Sequence, residues 1–485
     1  MRGHSTRSVA LAVAIGTVVA MTFVPSSTRA ADASYGFALG GLTSDYGSDI
    51  AVDADGNAYV IGNFTGTADF DPGALTQNMA AQGVTDDFVA KYGPTGTLLW
   101  AFGIGGTGQD DARDVVVKGA SVYIVGDFAG TVDFDPGPAL RRRSSKGSLD
   151  GFILKVNRSN GSLVWVGTIG GPGEDIVQAV AVDDSGHLVI AGQFSQTADL
   201  DPSAGVSSRT SAGITDAFIA KLRSDGTLIW ARRVGGSGID DAIGVDIDGS
   251  GKVFAAGYFS NTVDFDPGTG VHARTSNGSY DDFVLKLTPA GAYVWAASVG
   301  GLSTDYAQAF GVSSAGAAFL AGVFQGTADF DPGPGTKNRT SNGSYDMYVV
   351  KLKPDGTFAW VDAAGSGGYD SADGLRLGTD GRVHVAGSFS GATDFDPSAA
   401  TFTLTPVGGT SRDVLVWTLS ASGGFVDAWQ MGGTGNNYGA GIDVLGSNVY
   451  TTGGFEGSGD FDPGAGTRTL MSHGDTDAFV SRVTD

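Results

Sequence analysis

The sequence predicts an all-β fold, and three observations carry the prediction. A short phrase, Asp-x-Asp-Pro, recurs seven times at steps of 64, 66, 65, 65, 65 and 66 residues. Tryptophans keep the same period: Trp100, Trp165, Trp230, Trp295 and Trp360 are each 65 apart, and Trp429 follows after 69. Glycine, at 79 of 485 residues, has no three-residue period, so it marks tight turns between short strands and not collagen. A fixed period of this length signals a repeat architecture, not several independent domains.

Within one period, apolar and polar residues alternate in four runs. In the third unit they read AVAVD (179–183), HLVIAGQF (187–194), DAFIAKL (216–222) and TLIWARRV (227–234). The turns between them, DDSG and RSDG, hold the residues that tight turns favour. Four antiparallel strands repeated radially make a β-propeller. The last unit stops after its third strand, DAFVSRV (477–483), while SYGFALGG (34–41) precedes the first unit with a fourth-strand pattern. The expectation is a seven-bladed β-propeller of four-stranded antiparallel blades. Its N-terminal strand would complete the last blade, close the ring and remove the exposed edges of a linear array.

Arg2 and Arg7, an apolar run from Val9 to Val24 and the small-residue stretch Thr28-Arg29-Ala30 follow the order of a secretory signal peptide. Residues 1–30 are therefore expected to be removed, leaving residues 31–485 as one secreted propeller. Removal takes away three arginines and no acid, leaving 26 basic against 52 acidic residues. Such a chain repels nucleic acid and anionic lipid. No cysteine is present, which excludes disulfides, zinc-thiolate sites and a cysteine nucleophile. No span is expected in the mature chain, and a monomer is expected.

The recurring phrase is the candidate site. Its carboxylate pairs are Asp69 and Asp71, Asp133 and Asp135, Asp199 and Asp201, Asp264 and Asp266, Asp329 and Asp331, Asp394 and Asp396, and Asp460 and Asp462. Residues i and i+2 of an extended segment face one way, so each pair shares a side while the intervening Phe or Leu turns inward. Asp-Pro-Gly also suits a turn. Two readings follow: a core-plug Phe with the second Asp as turn former and the first bonded to a neighbouring blade's amide, or a calcium site in each blade completed by a third Asp from the adjacent loop and by carbonyls. A further Asp is read at the start of the third strand, as Asp87, Asp150, Asp216, Asp282, Asp346, Asp413 and Asp477. Loops between second and third strands share one end with loops entering the next blade, such as GGTGQDD (105–111), so acids are expected to converge there. The stretches after DPG vary most, which makes them natural bearers of specificity.

The phrase DADGNAYVIG (53–62) is similar to the Asp-x-x-Gly-Asn-x-Tyr-x-x-Gly core of the seven-bladed β-propeller repeat proteins of secreted bacterial origin. The resemblance implies an extracytoplasmic propeller and carries no catalytic residue across. AKYGPTGTLLW (90–100) resembles the tryptophan-docking motif of quinoprotein propellers, a device that packs blade on blade. His187, His272, His384 and His473 lack companions at metal-ligand spacing and read as surface or loop histidines.

Every distinctive motif recurs in nearly all units, whereas a catalytic centre needs one odd blade. The sequence therefore favours a secreted, non-catalytic binding or scaffolding propeller for an extracellular protein or glycan. The alternative is an extracellular carbohydrate-active enzyme, hydrolase or lyase, using paired carboxylates as acid and base. A third comparison, with integrin-type adhesion propellers, lacks their full Asp-x-Asp-x-Asp-Gly string.

Overall fold

The computed structural model describes residues 32–409 and 411–484, and the expected signal peptide, residues 1–30, lies outside them. One sheet sets the pattern for the rest. Asp45–Val52, Ala58–Phe64, Asp86–Tyr92 and Leu98–Ile104 pair in that order, each antiparallel to the next. The two middle strands are buried on both faces, so they read as nearly unbroken apolar runs. Sheets of the same kind follow along the chain, with first strands Asp110–Lys118, Asp175–Val182, Asp240–Ile247, Asp305–Val312, Ser371–Leu377 and Asn437–Leu445. Each first strand contacts that of the next sheet, and Asn437–Leu445 contacts Asp45–Val52. This is propeller architecture.

The sheet opened by Asn437–Leu445 continues through Asn448–Asp460 and Thr469–Thr484. Its fourth strand is Asp32–Gly41, antiparallel to Thr469–Thr484 with Phe37 opposite Val480.

Neighbouring sheets are joined by one repeated contact. The indole Nε1 of Trp295 donates to the carbonyl of Pro354 in the next sheet's outer turn at 3.1 Å, and Lys286 Nζ reaches the same oxygen at 2.9 Å. Trp165 and Lys155 converge likewise on Ser224, and Trp360 and Lys351 on Ala421. The turn glycine lies flat against the ring. Gly356 has φ +83°, and a Cβ there would sit 2.9 Å from the Trp295 indole. Between Asp32–Gly41 and the first sheet the same joint is built from other residues: Gly96 lies against Tyr35 and Phe37, and Arg482 donates to the Pro94 carbonyl at 2.7 Å.

A second joint uses the Asp-x-Asp-Pro segment. Thr327–Asp329 and Asn338–Thr340 form a short hairpin, and Gly300 of the preceding sheet pairs with Asp329. Phe330 is fully buried, with Phe324 and Tyr348 ring centroids at 5.5 and 4.8 Å. Its counterparts Phe70, Phe134, Leu200, Phe265, Phe395 and Phe461 are equally buried.

The structure corrects three sequence expectations. The first strand of the third sheet starts at Asp175, not at 179, because a β-bulge at Gln178 breaks the two-residue alternation. The third strands of two sheets open at Asp86 and Asp281, one residue before Asp87 and Asp282. His384 is buried in the strand Val383–Phe389 beside Thr418, and is not a surface residue.

Replacing Gly356 by alanine forces a methyl group into the Trp295 ring at a φ that L-residues avoid. The variant is expected to lose about 1–3 kcal/mol in urea unfolding, and an unchanged midpoint would refute the joint.

Candidate functional site

The fourteen Asp-x-Asp carboxylates turn onto their own loop's backbone, so the first Asp of each pair does not bond a neighbouring sheet's amide as expected, because its loop's own N–H groups lie nearer. Asp69 Oδ1 accepts the N–H of Asp71 at 3.0 Å and of Gln77 at 2.7 Å. Asp133, Asp199, Asp264, Asp329, Asp394 and Asp460 make the same two bonds, to residues two and eight ahead. The second Asp of each phrase closes the Pro turn. Asp71, Asp135, Asp201, Asp266, Asp331, Asp396 and Asp462 each accept the N–H two residues on, from Gly or Ser. Among the described residues no group of three or more acidic, His or Cys side chains is placed to hold a metal. The third carboxylate expected from a neighbouring element thus does not join the pair.

That third carboxylate is engaged elsewhere, between sheets. Asp86 interacts electrostatically with Asp110 of the next sheet, Asp150 with Asp175, Asp216 with Asp240, Asp281 with Asp305, Asp346 with Asp370, and Asp477 with Asp45. At the remaining junction the partner of Asp413 is Asn437, whose Nδ2 donates to Asp413 Oδ1 at 3.3 Å. Glycine is required here because a Cβ at Gly40 would lie 2.7 Å from the Asp477 carboxyl and 2.8 Å from that of Asp45. In each entry loop the acid folds back on the loop, as Asp110 Oδ2 does on Gly106 N–H at 2.9 Å. These acids are buried, not displayed as an acidic surface.

Burial pushes Asp45, Asp110, Asp175, Asp240 and Asp305 up to about 7, the facing carboxylate adding to it against backbone N–H bonds. Asp281 Oδ1 and Asp305 Oδ1 are both buried without a partner. A proton held on either would supply the donor that Asn437 supplies by its amide.

The residues that break the repeat are found on the axis. In every sheet the first strand carries one bulge at the same register, at Ser48, Arg113, Gln178, Ile243, Gln308, Asp373 and Ala440. Six of these are spaced by 65 residues and the last by 67. A bulge re-aims its side chain, and all seven line one axial mouth of about 690 Å³. Three tyrosines, Tyr258, Tyr306 and Tyr369, also line it. They are backed by Tyr280, 5.6 Å from Tyr258 and 5.2 Å from Tyr306, and by Tyr345, 5.4 Å from Tyr369. The Arg412 guanidinium lies 4.4 Å from the Tyr369 ring centre.

Polar residues of the mouth hold one another in place. Arg113 Nε meets Asp127 Oδ1 at 2.5 Å, and Asn63 Nδ2 donates to Asp111 Oδ1 at 3.0 Å. Asp241 Oδ2 accepts Gln178 Nε2 at 3.0 Å and the Tyr258 hydroxyl at 3.4 Å, while its buried Oδ1 has no partner. Asp373 accepts Gln308 Nε2 at 2.8 Å and Ser371 Oγ at 2.7 Å. Burial raises Asp127, Asp241 and Asp373 to about 6, against the pull of Arg113, of Gln178 and of Ser371 respectively. Deeper in the channel, Asp49, Asp114, Asp246 and Asp443 each accept an N–H from another sheet's first strand, at 2.7–3.1 Å.

No recurring motif marks this mouth. Its signal is a register at which superposed repeats disagree: Ser, Arg, Gln, Ile, Gln, Asp, Ala.

A β-propeller repeat family matches residues 35–70. That match and the strand pattern agree on β-propeller architecture. Over 429 residues it is 21% identical to the uncharacterized WD repeat-containing protein L264 of Acanthamoeba polyphaga mimivirus, covering 73% of this chain and 31% of that protein. Over 201 residues it is 28% identical to the regulatory protein FlaEY of Caulobacter vibrioides, covering 39% and 20%. The chain thus spans less than a third of the length of these curated relatives. Among solved structures it is similar to the Neurospora crassa Pan2 WD40 domain, with TM-score 0.40, 10% identity and coverage of 91% and 97%. It is also similar to the quinohemoprotein alcohol dehydrogenase of Comamonas testosteroni, with TM-score 0.41, 10% identity and coverage of 94% and 76%.

The junction pairs set a pH dependence. Asp110 titrates near 7 when folded and near 3.9 when unfolded, so between these values the folded chain alone holds the proton. Its contribution is full below pH ~4 and is lost as pH rises through 7. The melting temperature should therefore fall between pH 5 and pH 8.5. Asp110→Asn, which copies the amide of the Asn437 junction, should match the parent at the lower pH and exceed it at the higher; parallel profiles would refute the held proton.

Proposed function

We propose that the protein is a secreted, monomeric, seven-bladed propeller, closed by its N-terminal strand, that binds an extracellular glycan or protein at its axial mouth without catalysing a reaction. The carrying observation is the bulge ring. Periodic side chains build the sheets and their joints, and the seven differing bulge residues gather in a cavity. Small-molecule sites have this form and size, ~300–1,000 Å³.

Three observations support a seven-membered ring. First strands touch in sequence and the last touches the first. The acid pair recurs between Asp477 and Asp45. The turn-glycine joint recurs at Gly96. Secretion rests on the charge and hydropathy order of residues 1–30. No helix among the described residues is long and apolar enough to cross a membrane.

An array of glycans and purified extracellular proteins tests the reading. Gln178→Ala and Gln308→Ala should each weaken any hit at least tenfold, while Val206→Ser and Val271→Ser on the exposed outer loops should not. The reverse pattern would move the site to those loops. The elevated carboxyls at the mouth favour one second reading, a carbohydrate-active hydrolase or lyase with Asp127, Asp241 or Asp373 as proton carriers. Release of new reducing ends from a bound glycan would establish it in place of pure binding.

Calcium at the Asp-x-Asp-Pro loops is a separate proposal, with the ion completing its six to eight oxygens from carbonyls and water around each pair. Seven occupied loops would raise the melting temperature markedly in millimolar calcium over a chelator, and identical curves would remove the proposal.

A further inference from the structure

We propose that the axial mouth takes the end of a neutral oligosaccharide, with one sugar ring against the tyrosines and its hydroxyls on Asp241 and Gln308. The inference rests on the reading of the mouth as a ligand site, and adds the chemical class.

Ring surface and polar groups lie side by side in the mouth. The sheets begun by Asp240–Ile247, Asp305–Val312 and Ser371–Leu377 supply or directly precede Tyr258, Tyr306 and Tyr369, and the same first strands carry Asp241, Gln308 and Asp373. Those begun by Asp45–Val52, Asp110–Lys118 and Asp175–Val182 add Asn63, Asp111, Arg113 and Gln178. A pyranose has the same two kinds of surface, with C–H groups on a face and hydroxyls around the edge. Half-buried tyrosines present ring surface together with a hydroxyl, which suits the first part.

Asp241 suits the second. Its side chain is 1% exposed, Gln178 and Tyr258 fix Oδ2, and Oδ1 is left buried and unpartnered beside the cavity. Buried polar atoms are ordinarily satisfied, so an unpartnered acceptor at a cavity wall calls for a donor from a ligand. Gln308 Oε1 is a second such acceptor on the same wall. Two acceptors ask for O–H or N–H groups.

Charge selects among saccharides. Asp111, Asp241 and Asp373 line the mouth and Asp127 lies behind it, against the guanidiniums of Arg113 and Arg412. Arg113 is held by Asp127, and Arg412 covers Tyr369 and Tyr438. With three carboxylates in the lining and Arg113 already paired, the charge of the mouth disfavours uronates and sialylated chains. The mouth is also too small for a protein surface, which needs on the order of 800 Å² per partner.

Calorimetry of the full chain against neutral xylo-, manno-, gluco- and galacto-oligosaccharides, with uronic-acid oligomers as the charged comparison, tests the proposal. At least one neutral series should bind and the uronates should bind at least tenfold more weakly. Tyr306→Ala and Asp241→Asn should each cost tenfold or more. Tyr306→Phe, which keeps the ring, should stay within threefold and so separates lost stacking from lost folding; Leu302→Ser, on an exposed loop, should bind as the parent does. Absence of neutral-sugar binding at millimolar concentration, or binding indifferent to Tyr306→Ala, overturns the assignment. Mouth-dependent binding of a protein in place of a sugar would overturn the saccharide and leave the binding reading standing.

Discussion

The structure depends on how one sheet is held to the next. A four-stranded antiparallel sheet of seven-residue strands has two apolar faces, and neither can face water. Each face must be covered by a neighbour of the same shape, which is why the chain repeats. Coverage alone would allow sheets to slide. Sliding is prevented by directional contacts that the repeat carries with it: an indole N–H and a lysine on one turn carbonyl, a glycine flat against that indole, and a hairpin hydrogen-bonded to the preceding sheet. The indole and hairpin contacts lie at different places on the sheet, so two sheets cannot rotate about either one alone.

This requirement explains why so much acid is invisible from outside. The Asp-x-Asp-Pro carboxylates satisfy N–H groups of a loop too short to pair its own backbone. The junction carboxylates sit where Gly-Gly lets two sheets approach. Carboxylate is an expensive choice for such a place unless it holds a proton, and the Asn437 junction shows the neutral version of the same geometry. The acidity of the composition is thus in part a property of the joints, and says less about ligands than a net charge of −23 suggests.

Much of the fold is legible in the sequence because it is periodic. The strand DAFIAKL is found at Asp216–Leu222 as read, and residues 34–41 pair beside 477–483. The first strand of the third sheet is misplaced at its start by the alternation rule, since Gln178 adds a residue and reverses the apolar phase. The mouth is not legible for the same reason. Its residues belong to a bulge, where neither strand alternation nor motif recurrence applies. Tyr258 and Tyr306 become neighbours only once separate sheets are packed, 5.0 Å apart though 48 positions distant in the chain.

The bulge therefore links architecture to ligand chemistry. At the first-strand positions that pack between sheets, substitution is constrained by packing. The bulged residue is less constrained, because it is the extra member of its pair and lines the mouth. Ser, Arg, Gln, Ile, Asp and Ala are all accommodated at it without disturbing the register on either side. A repeat protein with a tolerant position in each unit can change what lines its axis while the joints between sheets stay the same. Variety there is compatible with the joints because none of the indole, glycine or hairpin contacts uses the bulged residue.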